Sequence, residues 1–256
     1  MDRNLERGNS KGLFSKEIPA EDGPYLSLNP SVTDRKELGP EPSADVYSKM
    51  KMADPKLSAS WTIWEQHKQS KDRKGEYSDA MKQTVTFGTV KEFWACWNHI
   101  PQPSVLLNGK KFIRESDGHR TIIDSLAIFK KGVLPEWEDP ENANGGHFQL
   151  TLKPQLPAGI IDELWNNIVL GMVADAIEPA SMITGCRLVD KLDNKLKPIL
   201  RIEVWFNEMD DDTLNGGQGK VYDLRGSFER CIRLGLDGRE RKVCWGRTDL
   251  KPHNGK

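Results

Sequence analysis

The chain has 256 residues, 37% of them hydrophobic and 29% charged, with a formal net charge of −1. No apolar run approaches the roughly 20 residues that cross a bilayer, and MDRNLERGNS has no hydrophobic leader, so membrane and secreted classes are excluded and a cytoplasmic protein with some nuclear presence is expected. Residues 61–181 hold 13 basic and 16 acidic side chains and residues 182–256 hold 15 and 12, a balance too mild for coating nucleic acid by counterion release but compatible with a few phosphates at one end of a site.

All eight tryptophans (Trp61, Trp64, Trp94, Trp97, Trp137, Trp165, Trp205, Trp245) follow residue 60, whereas residues 1–60 carry six prolines, 9 basic and 10 acidic side chains. Such a segment buries too little apolar surface to offset its ordering entropy. Residues 1–55 are therefore expected to be a flexible tail, 56–250 one domain and 251–256 a short second tail.

In chain order, LSASWTIWEQH (57–67) predicts a first strand and the charged KDRKGEYSDA (71–80) a loop. QTVTFGTV (83–90) predicts a second strand. The spacing of Val90, Phe93, Trp94 and Trp97 predicts a helix over 90–101, with Thr89 as N-cap and Pro101 at its end. Residues 102–131 offer an NG turn, a DG turn and short apolar runs, read as strands or an inserted hairpin. A turn-rich loop then leads into an alternating strand near 147–153, with Asn144-Gly145-Gly146 as a hairpin turn. The longest helical pattern covers 156–178, with Ile161, Leu164, Trp165, Ile168 and Met172 on one side. Two strands around a basic turn (186–208), a helix (223–237) and a last strand (241–247) complete the order.

This succession predicts an α+β fold: a mainly antiparallel sheet with helices on one face and the other face free for a ligand. The four cysteines, Cys96, Cys186, Cys231 and Cys244, form no CxxC pair, so reduced thiols are expected and no metal site. No glycine-rich nucleotide loop and no Ser-His-Asp motif is present, and an enzyme is not expected. Most of the tryptophans read as core, Trp205 among them. Trp137 is the exception, because it sits in PEWEDPENANGG beside Glu138, where no strand or helix pattern would bury it.

TVKEFWACWNHI (89–100), VLPEWEDPENANGGHFQLTL (133–152), IIDELWNNIVLGMV (160–173), the pair Trp61/Trp64 and RIEVWFNE (201–208) together resemble the translation initiation factor 4E family, the mRNA cap-binding proteins. The divergent tail and insertions resemble a kinetoplastid member. The resemblance implies a curved sheet with three helices on its convex face and a ligand slot on the concave side. It implies a cationic 7-methylguanine stacked between Tyr77 and Trp137, with Glu138 on the guanine edge. Lys191 and Arg201, with Lys195 and Lys197 between them, would meet the triphosphate, aided by His147 when protonated. A dorsal surface built from Leu57, Val90, Trp94, Asn166, Asn167 and Leu170 would hold the helical Y-x-x-x-x-L-φ segment of a 4G-type scaffold or a 4E-binding repressor. No catalytic residue, cofactor or metal is implied, and a monomer is expected. The alternative within the family is a regulatory or repressive homologue with weak cap affinity that acts through its protein-partner surface.

Overall fold

The alternating run KLSASWTIWEQH forms β1 (Lys56–His67), which pairs antiparallel with β2 (Met81–Thr89) on one side and β4 (His119–Lys130) on the other. The structure, a computed structural model, describes residues 26–32, 45, 54–68, 80–116, 118–235, 238–241 and 248–253. The sheet continues through β6 (Ile183–Lys191), β7 (Ile199–Phe206), β5 (Gly146–Leu152) and β8 (Thr248–Pro252), giving the order β2-β1-β4-β6-β7-β5-β8. β3 (Phe112–Ser116) adds a hairpin on β4, and every pairing is antiparallel.

The period-two pattern divides the strand residues between two faces. Trp61 and Ile63, Leu126 and Ile128, Cys186 and Leu188, Ile202 and Val204, and Phe148 and Leu150 join the main core under the helices. Their neighbours Ala127, Phe129 and Trp205 form a smaller cluster with Met81, Val133 and Trp64 on the opposite face. Three longer helices cover the first face: α1 (Val90–Trp97), α4 (Ala158–Val173) and α6 (Lys220–Arg233). Single turns α2 (Ser104–Leu107), α3 (Pro140–Ala143) and α5 (Asp211–Leu214) lie in connections. The expected fold class is present: a curved antiparallel sheet, with the helices on one side.

The Thr89 cap is also present. Its hydroxyl accepts from the Glu92 N–H at 3.2 Å, and the Glu92 carboxylate accepts from the Gly88 N–H at 2.8 Å, a reciprocal closure of the helix start. α1 stops at Trp97 rather than running to Pro101. The helix expected at 223–237 starts and ends about one turn earlier, as α6.

Asn144-Gly145-Gly146 is not a hairpin turn. Asn144 caps α3, and β5 pairs with β7 and β8 rather than with β4. Glycine is required for a different reason: a Cβ on Gly145 would stand 1.7 Å from the Phe206 carbonyl oxygen. The strand expected at 241–247 falls largely on residues outside those described, and the observed last strand is β8. Lys251 pairs with His147 and Pro252 with Gly146, so the sheet reaches into the segment expected as a tail. Most of the expected tail 1–55 also lies outside the described residues. Within it, residues 26–32 lie against the helical face, with Ser27 buried.

Candidate functional site

The loop between β4 and α3 is pinned by its own polar residues. Asp139 caps α3 by accepting from the Glu141 N–H at 2.9 Å, and its other oxygen accepts from the Leu134 N–H at 2.8 Å. The Asn142 amide, fully buried, donates to the Leu134 and Glu136 carbonyls at 2.8 and 2.9 Å. These bonds fix the backbone on both sides of Trp137, whose indole stays 52% exposed, with Glu138 exposed beside it. A cavity of about 270 Å³ opens there, lined by Pro135, Glu136, Trp137, Glu138, Arg187 and Trp205. Tyr77, the expected second stacking ring, lies outside the described residues.

The cavity floor is a polar network that sequence reading missed. Register places Arg187 opposite Glu203, and Val189 opposite Arg201, so these side chains share the face of Trp205. Glu203 is 1% exposed, and its Oε2 accepts from Arg187 Nε at 2.9 Å and from Trp205 Nε1 at 3.0 Å. The Arg187 guanidinium also lies 5.1 Å from the centroid of the Trp205 ring, within cation–π range. Arg201 Nε approaches Glu203 Oε1 at 2.8 Å as an ion pair that lacks the alignment of a directed hydrogen bond. Burial pushes the Glu203 carboxyl up, but the Arg187 and Arg201 charges and the Trp205 N–H outweigh it and hold the group below its ordinary range. The only available signal was polar residues alternating inward along RIEVWF.

Of the expected phosphate cations, Arg201 is therefore already engaged with Glu203. Lys191 is exposed at the end of β6, opposite Ile199. His147 is not where a phosphate could reach it, because it is 6% exposed and stacked on Trp205 at 5.7 Å. Desolvation lowers its pKa to about 4, so it is neutral near pH 7 and serves as packing rather than as a cation. Its Nδ1 lies 3.1 Å from His253 Nε2, and His253 Nδ1 lies 2.7 Å from the Asn142 carbonyl. The carbonyl can only accept, so His253 Nδ1 carries a hydrogen, and the neutral pair requires His147 to donate to His253. His253 in turn stacks on Trp137 at 6.1 Å and contacts Trp205 at 4.5 Å. It belongs to the slot, although its position was expected to lie in a tail.

On the helical face, Trp94 is 37% exposed while its neighbour Trp97 is 1% exposed. The two differ because three residues along a helix turn side chains to adjacent directions. Phe93 meets Trp94 edge-on at 5.0 Å and stacks on Trp97 at 5.7 Å. Leu57 and Leu170 are partly buried against the same core, and Val90 is half-buried. Asn166 is covered within the chain. It is 1% exposed, accepts from Trp97 Nε1 at 2.9 Å, and donates to the Leu26 carbonyl and to Gln102. Asn167 donates to the Leu234 carbonyl at 2.9 Å.

Among the described residues no helix is long and apolar enough to cross a membrane, and no cluster of His, Cys, Asp and Glu could hold a metal ion.

The family profile for Eukaryotic initiation factor 4E matches residues 56–237. Eukaryotic translation initiation factor 4E of Saccharomyces cerevisiae is 31% identical over 184 residues, covering 71% of this chain and 72% of the yeast protein. Eukaryotic translation initiation factor 4E-2 of Schizosaccharomyces pombe is 32% identical over 155 residues, 60% of this chain and 55% of that protein. Among solved structures, a complex of C. elegans eIF4E-3 with the 4E-binding protein Mextli and a cap analog superposes with a TM-score of 0.53 at 19% identity, covering 78% of this chain and 94% of that one. That likeness is one of fold.

Proposed function

The chain belongs to the eukaryotic initiation factor 4E family, and from this we propose that it binds the 7-methylguanosine 5′ cap of mRNA in the Trp137 slot. It then joins that cap to a 4G-type scaffold or a 4E-binding repressor through the Trp94 face, as a binding module rather than an enzyme. The observation that carries the reading is the rigid presentation of an open indole beside a carboxylate over the cavity. A 7-methylguanine carries delocalised positive charge, so an electron-rich ring gains roughly 0.5–2 kcal/mol from cation–π attraction. Unmethylated guanine lacks that gain. The Glu138 carboxylate supplies two acceptors for the donor–donor edge of guanine, an edge adenine does not offer. Lys191 and Arg201 extend in a line from Trp205, on the order of 13–20 Å away at about 3.3 Å per strand residue, and would take the phosphates. Tyr77 is the second ring in this reading. The cytoplasm, where mRNA is translated, is the proposed site of action.

Trp137→Ala tests the slot. It removes a stacking face and should cost on the order of 1–3 kcal/mol of cap affinity with an unchanged melting temperature, because the indole supports little of the core. Retention on immobilised cap analogue, competed with methylated and unmethylated nucleotides, reads the result. Undiminished retention by this variant would remove the slot assignment.

Trp94→Ala tests the other face. An aromatic left partly in water on a helix is characteristic of an interface hot spot, and its loss should cost about 2 kcal/mol or more of binding to a Y-x-x-x-x-L-φ peptide. Cap retention should persist. A large fall in melting temperature with both activities lost would show instead that Trp94 works as core.

A further inference from the structure

Away from the slot, a dense buried polar construction lies on the helical face, at the start of α4. Asp162 is fully buried. Its oxygens accept from the Ser104 N–H at 2.7 Å, the Ser104 hydroxyl at 2.6 Å and the Ser27 hydroxyl at 2.5 Å. Asn29 Nδ2 donates to the Ser104 hydroxyl oxygen at 2.8 Å, and Asn166 Nδ2 donates to the Leu26 carbonyl at 2.9 Å. The segment then closes in a turn, with Val32 N–H donating to the Asn29 carbonyl at 3.1 Å. Leu28 remains 37% exposed, so the contact is not an apolar plug. The notch reads hydrogen bonds: a hydroxyl donor for Asp162, a carbonyl for Asn166 and an amide donor for Ser104.

Asn166 also connects this notch to the partner face. It accepts from Trp97 Nε1, and Trp97 stacks on Phe93, which meets Trp94. We propose that Ser104, Asp162 and Asn166 form a second docking notch beside the Trp94 face, and that the segment 26–32 is its intrachain occupant. The proposal rests on the Trp94 face being a partner surface. A partner that ends with its helix on Trp94 leaves the segment in place. A partner that continues as an extended stretch, with hydroxyl and amide side chains in the same spacing, must displace it. An occupant bound about nine-tenths of the time lowers the apparent affinity of such a competitor about tenfold.

The test uses the full chain with Ser27→Asp, which sets a second carboxylate against Asp162, and Asn29→Ala, which removes the amide donor. Hydrogen exchange should show amides of 26–32 protected in the wild type and released in Ser27→Asp, with cap retention unchanged. Two synthetic peptides probe the consequence: a helical Y-x-x-x-x-L-φ peptide, and the same helix followed by a flexible linker and Leu-Ser-Leu-Asn-Pro-Ser-Val. The helix alone should bind both chains equally. The extended peptide should bind Ser27→Asp about tenfold more tightly than wild type, with Asn29→Ala intermediate. Unprotected amides over 26–32 in the wild type would overturn the proposal, as would equal affinity of the extended peptide for all three chains. If the helical peptide binds none of them, the Trp94 reading fails by itself, and the exchange data still decide whether the notch holds its segment.

Discussion

Glu203→Ala is expected to cost about 3–5 kcal/mol of folding stability, because it strips the counter-charge from a buried guanidinium. Arg187 has a side chain only 9% exposed, and its Nη2 lies 2.8 Å from Glu203 Oε2. The substitution also leaves the buried Trp205 N–H without its acceptor. Denaturant melts measure the loss. Cap retention should fall as well, since Arg187 and Trp205 are two of the walls of the cavity. The double replacement Arg187→Met with Glu203→Leu separates charge from shape. It removes both ions together and should recover much of the stability without restoring cap retention to the same degree. A loss below about 1 kcal/mol for Glu203→Ala, the range of an exposed pair, would mean that the network is hydrated and does not organise the floor.

The parts of this fold legible in the sequence are those whose signal is local. TVKEFWACW carries its cap and its helical spacing within a few residues, and α1 forms with the Thr89 cap in place. ELWNNIVLGMV similarly announces a buried helix. The slot loop was visible because PEWEDPENANGG leaves an indole with no periodic pattern to bury it. What was hidden depends on partners remote in sequence. TDLKP has no strand alternation, yet it pairs with β5 and delivers His253 to the slot. The pairing of Arg187 with Glu203 becomes visible only once register sets them opposite each other. Leu-Ser-Leu-Asn shows nothing to distinguish it from the rest of the amino-terminal composition, because the acceptor it satisfies, Asp162, lies 135 residues away. The hydrogen bonds of Asn166 to Trp97 and to the Leu26 carbonyl were hidden for the same reason.

Acidification is expected to weaken the fold and the slot together. The His147 pKa of about 4 lies below the ordinary value of about 6.5, so the unfolded chain takes up the proton first. The contribution is complete above about pH 6.5 and is lost as pH falls toward 4, amounting to roughly 3 kcal/mol over that window. His253 is displaced in the same direction, by burial first. Asp162 acts oppositely: burial raises its pKa against hydrogen bonds from Ser104 and Ser27, so its protonation favours the folded state and offsets part of the loss at the acid end. The groups facing the histidine pair are Glu203, Arg187 and Arg201, with Glu138 nearer the rim. Of these, the two arginines already oppose a further cation. Protonating either histidine also places positive charge behind Trp205 and Trp137, and Trp137 is the ring proposed to attract a cationic base. Cap retention should therefore decline across the same pH range, before global unfolding. His147→Gln keeps a donor for His253 but cannot titrate, and should flatten both profiles. Stability and retention curves that run parallel to wild type in that variant would place the pH dependence elsewhere in the molecule.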